Sequence, residues 1–104
     1  VEIKKENFML MLITYDVSTE TKDGKRRLSK VAKYCVAHGQ RVQNSVFECN
    51  LNYGEVLKLQ NKLKEIIDPK TDSLRFYNLG NNYESKIEHI GIKPSIPLEG
   101  TIII

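Results

Sequence analysis

The segment QRVQNSVFECNL, Gln40–Leu51, alternates with a period of two between two stretches whose apolar spacing is helical. Phe47, Cys49 and Leu51 fall on one side of a pleated strand, and Val46, Glu48 and Asn50 on the other. Asn44-Ser45 interrupts the alternation. The segment therefore reads as two short strands turned at that point, with one unbroken strand as the alternative. Upstream, Leu28, Val31, Ala32, Cys35 and Val36 lie on one face of a helical repeat. This spacing predicts a helix from about Lys25 to His38, stopped by Gly39. Downstream, Asn52 and Glu55 have the spacing of a capping box, with Asn in place of Ser or Thr. Val56, Leu59, Leu63, Ile66 and Ile67 then line one side of a second helix. Asp68-Pro69 ends it, because proline disfavours helix in the residue before it.

Outside this centre, the nearly continuous apolar run Met9–Val17 predicts a strand covered on at least one face. Ser18–Gly24 reads as a loop, Ser73–Leu79 as a strand, and Gly80-Asn81-Asn82 as a turn, with a short extension at Lys86–Ile90. The order β-α-β-β-α-β implies an α+β fold, a ferredoxin-like sandwich with two helices on one sheet face. The terminal Thr101-Ile102-Ile103-Ile104 predicts an additional C-terminal strand on a sheet edge, since three isoleucines in water invite aggregation. Residues 1–8 read as an N-terminal extension and residues 9–104 as a single domain.

Composition limits what such a domain can do. A chain of 104 residues has room for one core of ordinary size, and 40% hydrophobic content argues against disorder. No apolar run approaches the roughly 20 residues that cross a bilayer, so no membrane partner is expected. A chain this small would build a reaction site on its surface or between subunits. The formal charge of +3 is weak evidence for nucleic acid. Neither GxGxxG nor a P-loop is present, which weighs against nucleotide-binding α/β folds. Cys35 and Cys49 lack a CxxC partner and form no zinc spacing with His38 and His89, so reduced thiols and a cytoplasmic location are the plain expectation.

Asp16 ends the first hydrophobic strand. It reads either as a turn residue bonding its own backbone or as a metal ligand. One carboxylate is a poor magnesium site, but a two-fold dimer would set Asp16 beside its symmetry mate. Between Lys22 and Lys33, the cations Lys22, Lys25, Arg26, Arg27, Lys30 and Lys33 meet a single acid, Asp23. That bias exceeds what helix-stabilising pairs require and favours phosphate contact over a merely solvated face. Arg41 offers a planar phosphate donor, with a salt bridge to Glu48 as the competing reading. Tyr15 and Phe47 are more often core aromatics than base-stacking platforms. Cys35 belongs to packing, His38 suits a helix C-cap, and His89 has no partner nearby in sequence.

Four blocks carry a family resemblance: LITYDV ending near Asp16, RRLSKVAKYC, GQRVQNSVFEC and IIDPKTDSLRFYNLG. Together they resemble the small CRISPR-associated adaptation protein, the Cas-two family, and the tail EHIGIKPS resembles its subtype I-C branch. The resemblance implies a ferredoxin-like homodimer whose C-terminal strand pairs with the neighbouring protomer. It implies a metal-dependent endonuclease cutting RNA or double-stranded DNA, with Mg2+ or its substitute Mn2+, acting in spacer acquisition for antiviral defence. It also implies a partnership with the CRISPR integrase subunit, which leaves a non-catalytic DNA-binding scaffold as the alternative. By this likeness Asp16 matches the metal-binding aspartate, while Tyr15, Arg26, Arg27, Arg41, Ser45 and Phe47 match positions of the site or the dimer.

Overall fold

The computed structural model describes residues 8–82 and 84–92. Its elements are β1 (Phe8–Asp16), α1 (Lys22–His38), β2 (Gln40–Gln43), β3 (Val46–Asn52), α2 (Tyr53–Ile66) and β4 (Ser73–Asn78), followed by a short 3-10 helix at Glu84–Lys86. The strands form one antiparallel sheet in the order β2-β3-β1-β4. β1 and β3 are thus interior, each hydrogen-bonded to a strand on both sides. This order, with both crossover helices on one face, is the ferredoxin-like α+β arrangement that the sequence predicts.

The pleat divides the sheet sharply. Ile13 faces Phe47 across the β1–β3 pair, and Met11 faces Cys49. These side chains join Tyr15, Leu51, Val31, Cys35, Val56, Leu59 and Leu63 in one buried cluster under the two helices. Ile13, Phe47, Val31, Cys35, Cys49 and Leu63 have no exposed surface. Each large member contributes about 1.5–3 kcal/mol of hydrophobic stabilisation. Leu12, Thr14 and Asp16 occupy the opposite pleat of β1, with Val46 and Glu48 beside them on β3, and neither α1 nor α2 covers that face.

The hairpin turns at Asn44-Ser45, as the alternation suggests, with a bulge between Arg41 and Gln43. The Asn52 capping box forms in both directions: Glu55 N–H donates to Asn52 Oδ1 at 2.8 Å, and Asn52 N–H to Glu55 Oε1 at 3.0 Å. His38 caps α1 by contacting the Tyr34 carbonyl through Nδ1 at 2.8 Å.

Several boundaries differ from the sequence reading. Phe8, assigned above to the extension, opens β1 opposite Asn52. α1 begins at Lys22, three residues before the predicted start, because Thr21 caps it by accepting a bond from the Gly24 N–H at 3.0 Å. Gly24 is tolerated inside the first turn since the helix start presses on the Ser18 carbonyl, where a Cβ would collide. Gly39 ends α1 in an extended conformation rather than a left-handed one. Its role is closeness: a Cβ there would strike Cys49 Sγ and the Glu48 carbonyl. Residues 87–90 form no strand, and Gly80 makes its turn with φ of 77°. The predicted strand Thr101–Ile104 and the extension at 1–7 lie outside the described residues. No helix among the described residues is long and apolar enough to cross a membrane.

Candidate active site at the end of the first strand

β1 delivers Tyr15 and Asp16 to opposite sides of the sheet. Tyr15 is buried, while Asp16 is exposed with its Cα opposite Ser73 of β4. The strand end is fastened to the hairpin by the Tyr15 N–H, which donates to the Ser45 carbonyl at 3.1 Å. The Tyr15 hydroxyl donates to the Asn44 carbonyl at 3.4 Å. Burial raises the Tyr15 pKa, nearby Cys35 adds to this, and Arg41 opposes it. A neutral, donating phenol is the result.

Tyr15 stacks on Phe47 with ring centroids 6.0 Å apart. The Arg41 guanidinium lies over the Phe47 ring, 5.1 Å from its centroid. Arg41 sits opposite Phe47 in the β2–β3 register, whereas Glu48 is opposite Gln40. Alternation therefore turns Arg41 away from Glu48, and the sequence-based ion pair between them does not form. Arg41 Nε is buried without a hydrogen-bond partner among the described residues. An orphaned guanidinium nitrogen is costly to bury, and it marks Arg41 as the unfinished part of this cluster.

The structure thus separates the predicted site residues into groups. Tyr15, Phe47 and Arg41 pack together on the helical side. Ser45 contributes its backbone at the hairpin turn, and Asp16 stands on the helix-free side. Among the described residues nothing hydrogen-bonds or ion-pairs the Asp16 carboxylate. Lys22, Lys25, Arg26, Lys30 and Lys33 are exposed along α1, with Arg26 bound to Asp23 at 2.9 Å.

Arg27 is committed elsewhere. Its Nε donates to Asp72 Oδ2 at 2.8 Å, and the Asp72 side chain has no solvent-exposed surface. Asp72 also accepts from the Ser18 N–H at 3.0 Å, the Asp68 N–H at 2.8 Å and the Thr71 hydroxyl at 3.0 Å. Burial alone would raise the Asp72 pKa, but Arg27 and these donors outweigh it and hold the carboxyl well below the usual carboxylate range. Asp72 therefore clamps the loop that leaves Asp16 to α1 and to the turn after α2. Sequence reasoning missed it. The available signal was the pair of acids Asp68 and Asp72 bracketing a proline turn, with a basic helix elsewhere to receive one of them.

The model of the family described as CRISPR associated protein Cas2 matches residues 9–87. The chain belongs to the Cas2 family. It is 55% identical over 96 residues to the CRISPR-associated endoribonuclease Cas2 of Chlorobaculum tepidum, covering 92% of this chain and 100% of that relative. It is 57% identical over 95 residues to the CRISPR-associated endonuclease Cas2 of Halalkalibacterium halodurans, covering 91% and 99%. Among solved structures, Streptococcus pyogenes Cas2 at pH 6.5 superposes with a TM-score of 0.69 at 54% identity, covering 80% of this chain and 100% of that one. The Cas2 family membership agrees with the strand order of the sheet.

The donor set within one chain is sparse. Among the described residues, no three His, Cys, Asp or Glu side chains come together as a metal site. Asp16 alone supplies a single carboxylate, short of what magnesium takes from a protein and its substrate unless a second copy contributes another.

Proposed function

We propose that the chain is a CRISPR-associated endonuclease that hydrolyses phosphodiester bonds in RNA or double-stranded DNA during spacer acquisition, in the cytoplasm. The observation that carries this reading is Asp16: a carboxylate with no intramolecular partner among the described residues, on the helix-free face, at the end of a strand pinned on both sides. A homodimer formed through that face would bring two Asp16 carboxylates to one site and hold Mg2+ or Mn2+ there. When bound, the ion would polarise a phosphoryl oxygen and activate water for attack on phosphorus. The chain's own residues do the rest. Cations of α1 hold the phosphate backbone, and Arg41, stacked over Phe47 on the opposite side of the sheet, steadies the hairpin that carries the strand end. Tyr15, Phe47 and Ser45 keep the strand end in place. The tail block beginning at Glu88 supports the subtype I-C assignment within the family.

Asp16→Asn tests this reading. The variant is expected to keep its fold and its dimer and to lose Mg2+-stimulated cleavage. Full activity in carefully purified Asp16→Asn protein would refute the assignment. A second reading is favoured by the single carboxylate per chain: a DNA-binding scaffold that bridges dimers of the CRISPR integrase subunit without cutting. A metal titration of cleavage beside a pull-down with the integrase separates the two. Binding without metal-dependent turnover supports the scaffold.

A further inference from the structure

The strands of the sheet carry two cations, Arg41 and Arg75. Arg41 packs over Phe47 on the helical side. Arg75 takes the opposite pleat: its neighbours Leu74 and Phe76 pack against the buried cluster, and Arg75 itself is exposed. In the β1–β4 register, Asp16 faces Ser73, Thr14 faces Arg75 and Leu12 faces Tyr77. Arg75 is therefore the strand cation on the face that holds the Asp16 carboxylate, and its diagonal neighbour across the strand pair. Such neighbours lie about 7–8 Å apart, within reach of a long side chain.

Opposite charges placed this way can pair, yet these two do not. Arg75 Nη1 donates instead to the Tyr77 hydroxyl at 2.8 Å. Tyr77 lies two residues further along β4, on the side of Arg75 away from Ser73 and hence from Asp16. A neutral hydroxyl engages one donor and leaves the positive charge uncompensated. The other N–H groups of the guanidinium have no partner among the described residues, and neither has the Asp16 carboxylate. One face thus presents a free carboxylate and, a step along β4, a guanidinium held apart from it.

A phosphodiester fits between such groups. Its hydrolysis forms a P–O bond to water and breaks the P–O bond to the leaving sugar oxygen, which takes up the proton that the water gives up. Between those events negative charge gathers on the nonbridging oxygens, where a fixed cation is most effective. The charged residue beside β1 on this face of β3 is an acid, Glu48, so an arriving phosphate meets repulsion unless a cation offsets it. The cations of α1 stand across the sheet. A guanidinium meets phosphate oxygens with parallel N–H donors. We infer that Arg75 is a catalytic residue that donates to the nonbridging oxygens of the scissile phosphate, and that Tyr77 is the positioning residue that keeps it from closing onto Asp16. The inference rests on the nuclease reading of Asp16 and adds the group that offsets developing charge.

The test measures cleavage by full chains with Mg2+, on a labelled RNA strand and on a labelled DNA duplex. The parent is compared with Arg75→Ala, Arg75→Lys, Tyr77→Phe, the Arg75→Ala/Tyr77→Phe double variant and Asp16→Asn. Arg75→Ala is expected to lower kcat roughly a hundredfold while KM changes by less than about threefold, because the contact strengthens as charge develops. Arg75→Lys should recover only part of that loss, since an ammonium lacks the planar donor edge. Guanidinium chloride at low millimolar concentration should restore Arg75→Ala several-fold, and sodium chloride should not. Tyr77→Phe should lower kcat several-fold in the parent and have no further effect in Arg75→Ala. Circular dichroism and size-exclusion chromatography follow fold and assembly. Arg75→Ala that keeps kcat within about threefold, while Asp16→Asn loses cleavage, would overturn the role of Arg75 alone. A loss confined to KM, a loss that guanidinium does not restore, or a variant that unfolds or changes its oligomeric state would also overturn it. Full cleavage by Asp16→Asn, or none by the parent, would overturn the nuclease reading itself and the assignment of Arg75 with it.

Discussion

Replacing Asp72 by Asn keeps the side-chain shape but removes a negative charge from a position with no solvent access. Oδ2 accepts from Arg27 Nε and the Asp68 N–H, both at 2.8 Å. Oδ1 accepts from the Ser18 N–H and the Thr71 hydroxyl, both at 3.0 Å. Whichever oxygen becomes the amide nitrogen, two donors then face a donor, and the Arg27 cation loses its counter-charge. Breaking a buried ion pair from one side costs about 3–5 kcal/mol. Domains of this kind have about 5–15 kcal/mol in total, so the variant should lose a large fraction of its stability. At about 4–8 °C per kcal/mol, its melting temperature should fall by at least about 12 °C. Guanidinium titration followed by far-UV circular dichroism measures this directly, in a chain that has no tryptophan. The pH dependence gives an independent check. The folded-state pKa of Asp72 lies below the ordinary 3.8, so its stabilisation is fully present above that pH and disappears as pH falls through the folded value. The gap between parent and variant should accordingly narrow in acid. A loss below about 1 kcal/mol at neutral pH, the scale of an exposed pair, would refute the clamp. A gap that stays constant into strong acid would refute its electrostatic origin.

Gly39→Ala should destabilise by about 1–3 kcal/mol, because the added methyl meets Cys49 Sγ and the Glu48 carbonyl; thermal melting checks it. Burial pushes the Cys35 thiol up to about 12 and the Cys49 thiol up to about 11, so neither should react with iodoacetamide near neutral pH until the chain is denatured. Mass spectrometry before and after denaturation reads both. Arg41→Met keeps an apolar stem over Phe47 and removes the orphaned Nε, so stability should change by less than about 1 kcal/mol while cleavage falls. Unchanged cleavage in that variant would remove Arg41 from the site.

What was legible in the sequence depended on periodicity. The hairpin at Asn44-Ser45, the Asn52 capping box and the apolar faces of both helices each involve residues a few positions apart, where pattern and structure are nearly the same information. The early start of α1 was not legible, because Gly24 is explained by its contact with Ser18 and not by helix propensity. Asp16 was visible as a polar residue closing an apolar strand. The packing of the other face was not, since the register of β2 against β3 includes a bulge that sets Arg41 beside Phe47. Asp72 reaches Arg27, 45 positions away, and no local signal predicts a contact at that range.

The alternation at Tyr15-Asp16 has one more consequence. Slippage of β1 by a single residue against β3 would exchange the two side chains, driving a carboxylate beneath the helices and an aromatic ring into water. If Asp16 carries the proposed chemistry, correct strand alignment and a competent reaction centre are one event. Misaligned molecules would then be both less stable and inert, and specific activity per folded molecule would act as a gauge of sheet fidelity. The bulged hairpin and the Tyr15–Ser45 bond then serve as the proofreading of that alignment.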